Sequence, residues 1–165
     1  MRLQPYSEAD FELTEALDGD PEVMRDLGGA VPADRLPAVH QLRLDPPPGD
    51  RYFTAFPAGS DRAFGLVGLW HTPWDGGTVP EAGVLVRRRY LGTGLGVRAL
   101  QALFALLAAE GMTEPVHAFI AVDNAASNTL ARRMGFTLLG ECDVSYEGRP
   151  LRSNHWTIQV GSPRS

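Results

Sequence analysis

The 165-residue chain, 44 % hydrophobic and 21 % charged, has the size and composition of one globular domain with its own core, and no run approaches the ~20 apolar residues of a membrane span. Its formal net charge of −5 argues against non-specific nucleic-acid binding, which needs a basic face, and is compatible with a cationic amine. All 15 basic residues are arginine and Cys142 is the lone cysteine, which excludes enzyme-lysine Schiff bases, a Walker-type phosphate loop, and a disulfide framework or Cys-based zinc site within one chain.

Met1 to Asp10 turns polar at once, so no signal region is expected and a cytoplasmic location follows. Ser7-Glu8-Ala9-Asp10 reads as a capping box opening a helix that carries Phe11, Leu13 and Leu17. Asp20-Pro21 predicts a second, short helix with Val23, Met24 and Leu27, ended by Gly28-Gly29. A third helix is expected over 34–44, and Asp45-Pro46-Pro47-Pro48-Gly49 breaks the chain. Strands are predicted at 51–56 and 64–70, then a loop over 71–80 containing the Trp74-Asp75-Gly76-Gly77 turn, then a short strand at 81–86. Residues 95–110 are nearly all helix formers and mostly apolar, which predicts a largely buried helix closed by Gly111. A strand at 116–122, a short helix at 124–134 with Gly135 as its left-handed C-cap, and strands at 136–141 and 155–160 complete the chain. This order predicts one α/β domain with a mixed sheet over 1–160 and a flexible tail at 161–165.

Leu91-Gly92-Thr93-Gly94-Leu95-Gly96 lies between a strand and the long helix. Glycines let backbone N–H groups converge without a Cβ clash, and the helix N-terminus adds partial positive charge, so the run suits a pyrophosphate. A dinucleotide fingerprint would place its third glycine five residues after the first; here it falls four after, and Val97 takes the fifth place. A second element, Val122-Asp123-Asn124-Ala125-Ala126-Ser127-Asn128-Thr129-Leu130, ends in Arg133-Met134-Gly135-Phe136.

Together the two runs resemble the signature of GNAT acetyltransferases. In that family the loop reads Gln/Arg-x-x-Gly-x-Gly/Ala after a strand; Gly94 and Gly96 match the two small positions, while Leu91 replaces Gln or Arg. Many members carry a Tyr acid on the second helix; the matching residue here is Ala131. That absence, Asn-x-x-Ser, the opening Pro5-Tyr6-Ser7-Glu8-Ala9-Asp10 and the Glu81-Ala82-Gly83 strand are similar to the branch containing ribosomal-protein N-terminal acetyltransferases.

The resemblance implies the GNAT fold: a mixed, mostly antiparallel sheet with a splayed parallel strand pair, flanked by helices. It implies acetyl-CoA as cosubstrate, no metal, and direct transfer to a primary amine, either a small molecule or a protein N-terminus. The splayed strands would be those at 81–86 and 116–122, with the pantetheine arm between them and the N–H groups near Val84, Leu85 and Val86 polarising the thioester carbonyl. The phosphates would sit on Leu91, Gly92, Thr93, Gly94, Leu95 and Gly96, and Asn124 would bond the pantetheine while capping its helix.

Glu81 is the candidate base, acting directly or through water, with a solvated strand-end acid as the alternative. Ser127 is either a proton donor to the leaving thiolate, a hydrogen-bond donor to the coenzyme, or a helix-start residue bonded to backbone. Arg87, Arg88 and Arg89 can contact phosphates or be solvated charge. Trp70, His71 and Trp74 can line the acceptor side or be core and loop residues. His40, His117 and His155 show no metal spacing, and Cys142 is expected to be inert core. An acyl-CoA sensor with little turnover is the alternative function, and a homodimer is the expected assembly.

Overall fold

The computed structural model describes residues 1–146 and 148–161, so 162–165 of the expected tail lie outside the described residues. Among them, seven strands form one sheet in the order β1-β2-β3-β4-β5-β7-β6: β1 Arg2–Pro5, β2 Arg51–Phe56, β3 Gly65–Trp74, β4 Gly77–Val86, β5 Pro115–Ala121, β6 Thr137–Tyr146 and β7 Arg149–Gln159. The helices are α1 Phe11–Asp18, α2 Leu36–Leu44, α3 Leu95–Ala109 and α4 Ala125–Met134. The β4–β5 ladder is parallel and consists, among the described residues, of one Cα pair, Glu81 with His117; β1–β2, β2–β3, β5–β7 and β6–β7 are antiparallel.

Contacts divide the chain into two compact units: residues 1–70 with 83–103, and residues 71–82 with 104–165. In the first, Ser7 donates from its backbone N and its Oγ to Asp10 Oδ2, at 2.8 and 2.9 Å, and so opens the turn leading into α1. The apolar face of α1, Leu13 and Leu17, packs with Tyr6 and Leu66, and Val23, Leu44, Tyr52 and Leu85 close around them. Beside this core Arg43 grips Asp18 with two hydrogen bonds of 2.7 and 2.9 Å and donates a third to Thr14. Both members of the ion pair are almost fully buried, so each depends on the other for its charge. The second unit is built on the long β6–β7 hairpin and on β5 against β7. Asn128 of α4 is its polar centre. It donates to the carbonyls of Ala121 and Asn124 and accepts from Asn154 Nδ2 and Trp156 Nε1, all at 2.9–3.0 Å.

Two expectations are corrected, and one strand was not foreseen. The Asp20 helix does not form. Asp20 Oδ1 accepts from the N–H groups of Glu22 and Val23, as a cap does, but the following residues make isolated turns. A seven-residue segment ended by two glycines gains too few bonds to offset nucleation. Residues 71–80 are not a loop. They are the two arms of the β3–β4 hairpin, turned by Asp75 and Gly76 at φ 49° and 76°, the two positive-φ positions of a tight hairpin turn; Pro73 and Pro80 disguise the strands. The first residues form β1, whose register runs from Arg2 against Phe56 to Pro5 against Phe53. This short, largely exposed edge strand has little apolar pattern of its own.

Candidate functional site

In the first unit, β4 delivers Val84, Leu85 and Val86, and a short turn leads into the glycine loop. Gly92 and Gly94 both take left-handed backbone, φ 75° and 79°, which a side chain would strain. No atom lies within 4 Å of where a Cβ would stand on either, so the space beside both is open to a ligand. Thr93 Oγ1 donates to the carbonyl of Tyr90 at 2.6 Å and ties the loop to its base. The first helical bond of α3 runs from Arg98 N to Gly94 O, so the N–H groups of Leu95, Gly96 and Val97 lie in the turn that has no intrahelical acceptor. Leu91, Gly92, Thr93 and Gly94 are exposed, whereas Gly96 is buried against the helix. An open cradle of N–H groups at a helix N-terminus fits an anionic phosphate.

The neighbouring arginines divide. Arg87 is not a solvated strand-exit charge: it holds Glu12 through hydrogen bonds of 2.9 and 2.6 Å, with its own side chain only 13 % exposed. The hydrogen bonds from Arg87 hold the Glu12 carboxyl below its usual range. Arg88 and Arg89 are exposed, and all three arginines border an open cleft of about 770 Å3 with Glu15 and Asp20. Trp70 stacks on Tyr52 at 6.3 Å and lies against Gly83, where a Cβ would collide with its ring.

In the second unit, Asn124 is the N-cap of α4, and its Oδ1 accepts from Ser127 N at 3.0 Å. Asn124 and Ser127 are therefore brought together, as a cap and its backbone donor. Ser127 is half-buried. Ala131, at the position where the family's Tyr would stand, is 1 % exposed, so a small residue fills a packed site there.

Glu81 keeps different company. It is half-buried at the one registered position of the parallel pair, and its Oε2 accepts from Thr72 Oγ1. Alternation along strands puts Thr72 and Trp74 of β3 on one face, and His117 and Phe119 of β5 on one face with their β7 partners Thr157 and His155. On that face His117 Nδ1 and His155 Nε2 are 2.7 Å apart. His155 stacks on Phe119 at 4.5 Å and meets the edge of Trp74 at 4.8 Å. Burial lowers the pKa of both imidazoles from the ordinary value, and the neighbouring His117 lowers His155 further.

This histidine pair is what sequence reasoning missed. The two residues are 38 apart in the chain, and only the β5–β7 register joins them. Of the acceptor-side candidates, Trp74 joins this face, while His71 is an exposed strand residue. Cys142 is half-exposed on β6 rather than core, and burial raises its thiol pKa. Among the described residues no group of three or more His, Cys, Asp or Glu is arranged to hold a metal, and no helix is long and apolar enough to cross a membrane.

The model of the acetyltransferase (GNAT) domain matches residues 1–137. Over 86 residues, 51 % of its length, the chain is 43 % identical to the L-methionine sulfoximine/L-methionine sulfone acetyltransferases of Pseudomonas aeruginosa and Pseudomonas paraeruginosa. It spans about half the length of these curated relatives, the match covering 48 % of each. The fold is similar to that of spermidine N-acetyltransferase from Vibrio cholerae in complex with CoA and spermine, with a TM-score of 0.77 at 16 % identity over 96 % of this chain and 95 % of that one. It is also similar to an acetyltransferase from Salmonella typhimurium that modifies the N-terminal serine of a 50S ribosomal subunit protein, with a TM-score of 0.75 at 19 % identity over 96 % and 94 %. With the domain model spanning most of the sequence and the fold in agreement, the chain belongs to the GNAT acetyltransferase family.

Proposed function

We propose that this protein transfers an acetyl group from acetyl-CoA to the primary amine of a small molecule or a protein N-terminus. The observation that carries the reading is the open, left-handed glycine loop at the start of α3, a cradle for the coenzyme's pyrophosphate. Asn124 would bond the pantetheine arm, and the backbone N–H groups around Leu85 and Val86 would polarise the thioester carbonyl. The amine nitrogen attacks the carbonyl carbon, the C–N bond forms and the C–S bond breaks. Glu81, held by Thr72, takes the amine's proton directly or through water. Coenzyme A leaves as a thiolate; with a free thiol pKa of about 8.5 it needs little acid help, so Ser127 contributes less.

The Pseudomonas relatives act on methionine sulfoximine and methionine sulfone, which favours a small amino compound as acceptor. The test is coenzyme A release, followed with a thiol reagent, across a panel of methionine sulfoximine, spermidine and peptides with free N-termini. At least one acceptor should turn over, and Glu81→Gln should lower kcat by roughly 10²–10⁴-fold. Tight acetyl-CoA binding with no turnover of any amine would instead establish an acyl-CoA sensor.

A further inference from the structure

We propose that His117 and His155 form a proton relay that carries the acceptor's proton away from Glu81, an inference that rests on the acetyltransferase reading above. The geometry is assembled within one compact unit. Glu81 and His117 are Cα partners across the parallel ladder, and such partners stand about 4.8 Å apart with side chains on the same face. Thr72 holds one carboxylate oxygen of Glu81. His117 continues the line to His155 through the 2.7 Å contact between Nδ1 and Nε2. Aromatic walls fix the second imidazole: Phe119 stacks on it and the Trp74 edge abuts it. His155 is only 7 % exposed, a costly place for a polar ring unless its partners use it. Thr157, the β7 partner of His117, has a buried hydroxyl oxygen with no hydrogen-bond partner among the described residues, so the pair lies beside an unused polar atom.

A contact this short between two neutral imidazoles requires one ring to donate and the other to accept. With His117 Nδ1–H donating to His155 Nε2, His117 Nε2 is left as the acceptor for an incoming proton. Each transfer then balances. The amine's proton goes to the Glu81 carboxylate and from there to His117 Nε2. The Nδ1 proton of His117 passes to His155 Nε2, and His155 releases its Nδ1 proton to solvent. Glu81 returns to a carboxylate and both rings return to neutral in their other tautomers, and exchange of the ring protons with solvent restores the starting tautomers before the next turnover. The pair must be uncharged to accept, and burial, which disfavours the imidazolium, keeps it so at neutral pH.

Among the described residues, strand pairing and ring contacts set these groups around the pair: charged Glu81 on β4, uncharged Trp74 on β3 with Thr72 beside Glu81, Phe119 on β5, and, on β6, Thr137 against Thr157 and Gly140 against His155. A relay has a signature that a packing role lacks: an acid limb in kcat that belongs to the histidines. His117→Gln and His155→Gln each keep a polar side chain but cannot pass a proton in this way.

The test has two arms. The first is a pH titration of the imidazole Cε1–H resonances in the unmodified protein, which needs no acceptor. The two rings should titrate together, below pH 6.5, and His155→Gln should move the His117 curve. Independent titrations at ordinary values would overturn the relay whether or not the protein is an acetyltransferase. The second arm is kcat against pH, with whichever amine turns over. Both variants should lose about ten-fold or more in kcat, with KM for acetyl-CoA unchanged and the acid limb displaced. His117→Gln, at the half-exposed end, serves if His155→Gln does not fold. Wild-type kcat and an unmoved acid limb in folded His117→Gln would overturn the relay while leaving Glu81 as base. Failure of every amine to react, with coupled titration intact, would overturn both the relay and the acetyltransferase reading.

Discussion

Asn124 and Asn128 stand one turn apart at the head of α4 and differ in what they hold. Asn128 is 3 % exposed, and both ends of its amide are bonded inside the protein. Asn124 is half-exposed and its cap engages Oδ1, so Nδ2 is the donor that a pantetheine carbonyl would use. Asn124→Ala should therefore raise KM for acetyl-CoA and cost about 1 kcal/mol as a lost cap. Asn128→Ala should cost more, about 1–3 kcal/mol for each buried partner left unmatched. Urea melts with and without coenzyme A separate the two, because added coenzyme should shift the wild-type midpoint much more than that of Asn124→Ala. Wild-type kinetics in Asn124→Ala would remove it from the coenzyme site. Asn124 was legible because a cap announces itself locally, by an amide before an Ala-rich run. Asn128 was not, since two of its four partners come from β7, 26 and 28 residues further along the chain. Glu81 was singled out as the head of a strand, but β4 begins at Gly77 and Glu81 lies inside it, and its partner Thr72 was hidden in what read as a loop.

At the scale of elements, the local signals that survived are those with a backbone cause. The apolar run of α3 became a helix whose Leu100, Leu103 and Leu107 are buried at its 3–4 residue spacing, and Gly135 takes φ 88° at the end of α4. The long hairpins were underestimated because their outer arms carry proline, charge and small polar residues. Pairing to a neighbour, not their own pattern, makes them strands. The turn from β4 into α3 is the element on which coenzyme affinity should depend. Gly94→Asp would place a carboxylate in the cradle and a side chain on left-handed backbone. Calorimetry should show coenzyme A affinity falling by at least ~10-fold, a loss of about 1.4 kcal/mol. Gly94→Ala serves as the control for backbone strain, and should lose less because it adds no charge. Equal losses in the two variants would mean that strain, not a phosphate site, explains the effect.

For the whole molecule, titrating groups predict how stability should vary with pH. His117 and His155 have pKa values lowered by burial, whereas in the unfolded chain each titrates near 6.5. Below about pH 6.5 the unfolded chain therefore binds protons that the folded one excludes. Stability must fall as pH drops through this window towards the folded values. The slope is bounded at about 1.4 kcal/mol per pH unit for each excluded proton, and solvent reaching half-exposed His117 reduces it. Glu12 adds a second loss at lower pH. Its carboxyl is lowered by Arg87, so the stability it contributes is present above the unfolded value and is lost as pH falls through the folded one. At the other extreme Tyr6, raised chiefly by burial, stays protonated after the unfolded phenol has begun to ionise, so stability falls again above about pH 10. A plateau between these limits is expected, with its acid shoulder owned by the histidines. Urea midpoints at intervals from pH 3 to 8 should decline below 6.5 for the wild type. In folded His117→Gln the decline should be shallower between 6.5 and 5, with the Glu12 step unchanged below it. An identical acid shoulder in that variant would mean that the imidazole pair binds protons equally in the folded and unfolded chains, and that its burial does not hold the rings neutral.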